Sequence, residues 1–346
     1  MAAIIPRIEQ YEHEPAWHSA LAQAINSVDE LLDLLHIDPG LRPGPVLSGD
    51  FPLRVPHSFV ARMETGNIND PLLRQVLPLP AEDTNTADYL PDPLAERDVM
   101  PVPGLLHKYH GRALLTVTGA CAIHCRYCFR RHFPYGDANP LATHRDAALA
   151  YLRSHEDISE VILSGGDPLL LPDSRLRELA GQLAAIPHIK TLRLHTRLPV
   201  VLPARIDARL LDWFGNYPGH KIMVIHCNHP HEINAEVSTA MQELAHAGII
   251  LLNQSVLMKG INDMADTLCN LSESLLGAGV LPYYLHLLDR VQGAAHFEVT
   301  DDRASELMQQ LHATLPGYLV PRLVREIPGL PGKWPMWPVR DRSTGY

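Results

Sequence analysis

From residue 113 onward the chain alternates short apolar runs with longer stretches in which apolar residues recur every three or four positions. The short runs are rich in Leu, Ile and Val and cover 113–118, 160–164, 191–195, 221–226, 249–255 and 283–287. Runs of this length and content predict strands. Between them 143–154, 173–185, 203–216, 232–247 and 264–276 read as helices, and 303–314 follows the sixth run. Strands separated by helices of this length need crossover connections, so the expected sheet is parallel. Six such units predict an α/β fold, a partial (β/α)6 barrel, with functional groups at the C-terminal ends of the strands.

The first hundred residues lack this rhythm. Stretches 19–35 and 53–63 read as helices, and 81–103, rich in Asp and Pro, reads as a linker. The expected organisation is a mostly helical N-terminal region over 1–103, the barrel over 104–320 and a C-terminal segment over 321–346. No chemistry is visible in the first of these, which reads as scaffolding or a homo-oligomer contact. The tail from Pro328 to Pro338 is dense in Pro, Gly and Trp and reads as a rigid loop holding one lysine, Lys333.

Composition narrows the classes. At 46% hydrophobic the 346 residues can bury a sizeable core. Thirty-nine acidic against 29 basic residues give a net charge of −10, which argues against a general nucleic-acid partner. No apolar run reaches the ~18 residues of a membrane span, and residues 1–10 show no secretory pattern. The expected location is the cytoplasm. Five cysteines, three of them bunched, indicate a reduced compartment and a metal site, not a disulfide scaffold.

The bunched cysteines are Cys121, Cys125 and Cys128, spaced C-x3-C-x2-C directly after the first strand. Three thiolates are one short of a closed zinc site. His124 would have to fold back sharply to be the fourth ligand, and Cys227 and Cys269 are distant in sequence. A four-iron cluster on three cysteines leaves one iron open to a small molecule. With Tyr127 before the last cysteine, the spacing resembles the radical S-adenosylmethionine (SAM) enzymes. That resemblance implies a [4Fe–4S] cluster whose open iron chelates SAM. An electron from a flavodoxin- or ferredoxin-like reductant then releases a 5′-deoxyadenosyl radical. A zinc or electron-transfer protein is the non-enzyme alternative. Ser164-Gly165-Gly166-Asp167 ends the second strand, where glycines expose backbone to a ligand and Asp167 can accept from the SAM amino group. His195, His226, Asn228 and Gln254 end the third, fourth and fifth strands as candidate cofactor-pocket residues.

A closer resemblance rests on several motifs in order. They are His107-Lys108-Tyr109 with Arg112, Cys121 to Arg131, Leu163 to Asp167, and Arg197-Leu198-Pro199-Val200-Val201-Leu202-Pro203. They continue through His226-Cys227-Asn228-His229-Pro230, Asn253 to Leu257, Pro282-Tyr283-Tyr284 and Gly332-Lys333. Together, over about 100–340, they resemble the lysine 2,3-aminomutases. The resemblance implies an isomerase that converts L-lysine to (R)-β-lysine with SAM and pyridoxal 5′-phosphate (PLP). It places the PLP Schiff base on Lys333, phosphate contacts on Tyr109 and Arg112, and the substrate α-carboxylate on Arg130. Asp289 and Glu326 match acidic positions that hold the ε-ammonium, and this charge speaks against glutamate as substrate. Lys108 stands where arginine is more usual, and a point charge there replaces a bidentate fork. Within the family the chain resembles the branch that makes β-lysine for elongation factor P, where a separate ligase attaches it. Lysine already joined to that factor is the alternative substrate.

Overall fold

The computed structural model describes residues 15–47, 51–134 and 144–336. Residues 1–10, read above for a secretory signal, and Trp337-Pro338 at the end of the tail lie outside them. One nine-stranded sheet runs through the molecule in sequence order. The six expected strands are β2 (Arg112–Thr118), β3 (Glu160–Gly165), β4 (Thr191–Thr196), β5 (His220–His226), β6 (Ile250–Val256) and β7 (Leu281–His286). Three more strands extend the sheet: β1 (Leu105–Tyr109), β8 (Arg322–Arg325) and β9 (Trp334–Pro335). Strands β2 to β8 are parallel, with Leu114 opposite Ile162 and Arg193 opposite Ile222. β1 turns back antiparallel on β2, and β9 turns back on β8. β3 is buried along nearly its whole length, as a strand covered on both faces must be. The partial barrel expected from the hydrophobic pattern is therefore present, with an antiparallel hairpin at each edge.

The connecting helices follow the expected order. Arg145–Ser154, Asp173–Ala184, Ala208–Gly215, Ala235–His246, Ala265–Gly277 and Asp301–Thr314 lie between or after the strands. Two begin later than the apolar period suggested, because an N-cap sets the start. Asp207 accepts from the amides of Arg209 and Leu210, and Asn234 accepts from that of Val237.

The N-terminal region differs more. The helix read over 19–35 is two, Ala16–Ala22 and Val28–Leu34, because Ser27 caps a new start and Ile25 pairs with Val55. Over 53–63 only the turn His57–Val60 is helical. Val55 precedes Pro56, and a residue before proline is pushed out of the helical region. Nor is 81–103 a solvated linker, since Glu82 and Glu96 within it are each only 4% exposed. One hydrophobic core runs from Trp17 and Leu31 through the strands to Val280, so the described residues before about 100 pack against the barrel. At the other end, β8 falls within the segment read as a separate tail and pairs with β7.

Candidate active site

The C-terminal ends of the parallel strands enclose a cavity of about 330 Å³. Every residue given a cluster, cofactor or substrate role from the sequence lines it. Cys121, Cys125 and Cys128 come from the loop after β2, and Ser164 to Asp167 end β3. His195 ends β4, His226 and Asn228 end β5, Gln254 lies in β6 and Asp289 follows β7. Lys108, Tyr109 and Arg112 enter from the β1–β2 hairpin, Glu326 and Lys333 from the β8–β9 hairpin.

The cysteine loop is held by a buried ion cluster. Arg126 donates through Nε to Glu82 at 2.8 Å and Arg131 through Nη2 to the same carboxylate at 3.0 Å. All three side chains are buried, Glu82 completely. His124 turns away from the cysteines, with Nδ1 2.8 Å from the Pro52 carbonyl and its ring stacked on Phe51. Neither Cys227 nor Cys269 lines the cavity. Among the described residues none of these supplies the three cavity cysteines with the fourth ligand a structural zinc would need. Burial pushes the Cys128 thiol up to about 11 and Cys121 well above its ordinary value.

The glycine turn is built against this loop. Gly165 has φ 125°, and a Cβ there would lie 2.5 Å from the Thr118 carbonyl oxygen. A Cβ on Gly166 would lie 2.2 Å from that of Ala120. The Gly166 and Asp167 amides donate to Thr118 and Ala120 at 2.7 and 2.8 Å. The glycines therefore serve the approach of the cysteine loop before any ligand. The Asp167 carboxylate, 6% exposed, accepts from the Thr196 hydroxyl and the Arg197, Leu198 and Leu169 amides. Its acceptor capacity is spent inside the chain, where the sequence reading had kept it for the SAM amino group. Asn228 is committed in the same way. It donates to Gln75 and to the Tyr127 hydroxyl and accepts from the Val256 amide.

A line of alternating charge crosses the cavity. Arg130 donates through Nε and Nη2 to Glu96 at 2.7 and 2.8 Å, and through Nη1 to the Ser164 hydroxyl at 3.1 Å. Lys108 lies 3.6 Å from Glu96 and 2.9 Å from Glu326. Glu326 in turn accepts from Lys333 at 2.7 Å. The hairpin register sets this last contact. Arg325 pairs with Trp334, which puts the flanking Glu326 and Lys333 side by side. Burial would push Glu326 up, but the Lys333 and Lys108 ammonium groups pull it well below the usual carboxylate range. Asp289 goes the other way. Burial, and then the Glu326 charge, push it up to about 7.

Burial holds the three cavity histidines toward the neutral form. Burial, with Arg197, Arg130 and Lys333 adding, lowers His226 to about 3, and burial also lowers His195 and His286 well below the ordinary value. His226 Nε2 meets the Gln254 amide at 2.9 Å. The Nε2 atoms of His195 and His286 are buried in the cavity wall without a partner among the described residues.

Residues 115–270 match the Radical SAM superfamily. The L-lysine 2,3-aminomutase of Escherichia coli is 51% identical over 322 residues, 92% of this chain and 94% of its own. That of Haemophilus influenzae is 43% identical, covering 95% of this chain and 98% of its own. That of Clostridium subterminale is 38% identical, covering 81% and 67%. The chain belongs to the lysine 2,3-aminomutase family. It is therefore an isomerase of the radical SAM class, and that class works with a [4Fe–4S] cluster and SAM.

The residues present fit the cluster. Cys121, Cys125 and Cys128 are free thiols lining one cavity, and a four-iron cluster asks for one thiolate to each of three irons. The same cavity wall holds the primary amine of Lys333 and the cations of Lys108 and Arg112, and the Nε2 atoms of His195 and His286 there have no partner among the described residues.

Several functional residues were not read from the sequence. Gln75, Glu82 and Glu96 lie in the stretch judged free of chemistry, yet each bonds to a cysteine-loop arginine or the cavity wall. One signal did exist. Arg126, Arg130 and Arg131 beside an apolar cysteine loop must find buried carboxylates somewhere. His286 and Tyr284 also line the cavity without having been given a role.

Proposed function

We propose that this protein converts L-lysine to (R)-β-lysine with PLP carried on Lys333, and that its product serves the modification of elongation factor P. The observation that carries this reading is the order of charge across the cavity. A cation, Arg130, stands beside the cysteine loop, while two carboxyl groups, Asp289 and Glu326, stand at the end that bears Lys333. An α-amino acid with a distal ammonium matches that polarity end to end. A second carboxylate, as in glutamate, would face Glu326 and is repelled.

When bound, the cluster and SAM supply a carbon radical that abstracts hydrogen, and PLP supplies a conjugated system that carries the migrating nitrogen. The chain's own residues bind and orient. Glu96 holds the Nε–Nη2 edge of Arg130, so a substrate carboxylate is received on the Nη1 side, next to Ser164. Glu326 and the ionised form of Asp289 receive the ε-ammonium. Lys108, Tyr109 and Arg112 would hold the PLP phosphate. Gln254 and the neutral His226 offer hydrogen bonds to SAM, and Gly165 and Gly166 bring the cysteine loop against the same wall.

The test is anaerobic incubation with SAM, PLP, dithionite and L-lysine, followed by chiral analysis of the product, in parallel with lysyl-modified elongation factor P. Formation of (R)-β-lysine from the free amino acid, lost in Lys333→Ala, is expected. Reaction of the modified factor alone, or full activity of Lys333→Ala, refutes the reading. Activity supported by a flavodoxin- or ferredoxin-type donor in place of dithionite is expected of the physiological reductant.

A further inference from the structure

Among the buried cations that the mechanism above leaves unused, one is aimed at the cysteine loop. Arg197, 5% exposed, follows β4 and points at the cysteine loop. Its Nη1 lies 2.7 Å from Cys125 Sγ. Its Nη2 is fixed by Gln75 Oε1 at 2.6 Å and Glu232 Oε2 at 3.0 Å. Its own amide is fixed by Asp167 at 2.8 Å, and its guanidinium lies over the Phe59 and Tyr127 rings. Three separate parts of the chain thus converge to aim one N–H at one cysteine sulfur: Gln75 from the N-terminal region, Arg197 from β4 and Glu232 from the loop after β5.

We propose that Arg197 raises the reduction potential of the [4Fe–4S] cluster through an N–H···S bond to Cys125. Reduction adds a negative charge to the cluster and to its thiolate ligands. A donor on a thiolate, carrying a positive charge in a largely buried setting, favours that reduced form. Glu232 offsets part of the charge and keeps the fork in place, so the donor is held before an electron arrives. Arg197 is in this sense a positioning and tuning residue for the electron, and it needs no contact with substrate. The inference depends on the cluster alone. A failure of the lysine reading leaves it standing, and the reverse is also true.

The experiment is an EPR-monitored redox titration of the full-length, anaerobically reconstituted protein without SAM. The parent is compared with Arg197→Gln and Arg197→Lys, each first checked for four irons per chain. At the parent's midpoint the ratio of reduced to oxidised cluster should fall at least tenfold in Arg197→Gln, equivalent to 59 mV for a one-electron couple. Arg197→Lys, which keeps the charge and loses the planar fork, should fall between. An unchanged midpoint in a fully loaded Arg197→Gln overturns the proposal. Parent protein carrying 15N-labelled arginine side chains gives an independent reading. The reduced cluster should show a hyperfine coupling to one guanidinium nitrogen, and absence of that coupling overturns the proposal even if neither variant takes up iron.

Discussion

Asp289→Asn should make the ligand-free protein more stable, and increasingly so with rising pH. Burial and the neighbouring Glu326 move the Asp289 carboxyl from 3.8 to about 7. At about 1.4 kcal/mol per pH unit, the ionised form is held at a cost of up to about 4 kcal/mol. That figure is a ceiling, because part of the side chain faces the open cavity. Below pH 3.8 the group is neutral in the folded and unfolded chains alike and contributes nothing. From there to about pH 7 only the unfolded chain ionises, so the folded state loses ground. Above pH 7 the whole cost is in place. Asparagine has nearly the same shape and never ionises. The assay is urea unfolding of the ligand-free parent and variant at several pH values from 4.5 to 8. The expected difference is small at the acid end and grows to a few kcal/mol in favour of the variant at pH 8. A difference that does not move with pH, or a variant less stable at pH 8, refutes the reasoning. The same substitution should weaken L-lysine binding. In the parent, affinity should rise from pH 6 to 8 as the carboxylate forms, and the variant should lack this rise.

Other perturbations follow from the site's construction. Gly166→Ala would put a Cβ 2.2 Å from the Ala120 carbonyl oxygen, so the cysteine loop must shift and iron loading after anaerobic reconstitution should fall sharply; full loading would contradict this. Glu82→Ala leaves the Arg126 and Arg131 guanidinium groups buried and unpaired, and denaturant unfolding should show a loss of about 3–5 kcal/mol. Arg130→Lys keeps the charge but cannot reproduce the two-point contact with Glu96. Its KM for L-lysine should rise roughly tenfold, about 1.4 kcal/mol, while the EPR spectrum of the reduced cluster stays as in the parent.

The barrel was legible because parallel strands are nearly continuous apolar runs and their helices carry a clear 3.6-residue period. The candidate site was legible for a related reason. Strand ends are adjacent in a parallel sheet, so polar residues placed just after each run meet in space whatever the loops do. Glu96 shows what could not be read. It follows Ala95, held at φ 48°, in a segment whose Pro and Asp content suggests solvent. Nothing local marks it as buried, since its burial depends on Arg130 and Lys108, which arrive from other parts of the chain. The N-terminal helices were misread for a similar reason, because Ile25 leaves its helix to pair with Val55, a contact that no local period encodes. Asp167 was assigned outward because sequence shows an acceptor but not the three backbone amides and the Thr196 hydroxyl that already fill it.

The line Arg130–Glu96–Lys108–Glu326–Lys333 has a consequence for selectivity. With nothing bound, each carboxylate along it already has a cation and each cation a carboxylate. An amino acid entering the cavity therefore swaps partners rather than rescuing a bare charge, and the net electrostatic reward for entry is small. Among amino acids with a distal ammonium, discrimination is left to length and angle. A molecule whose two charged ends do not span the gap displaces one internal pair without restoring the other, and the cavity works as a ruler that closes more readily on itself than on the wrong guest.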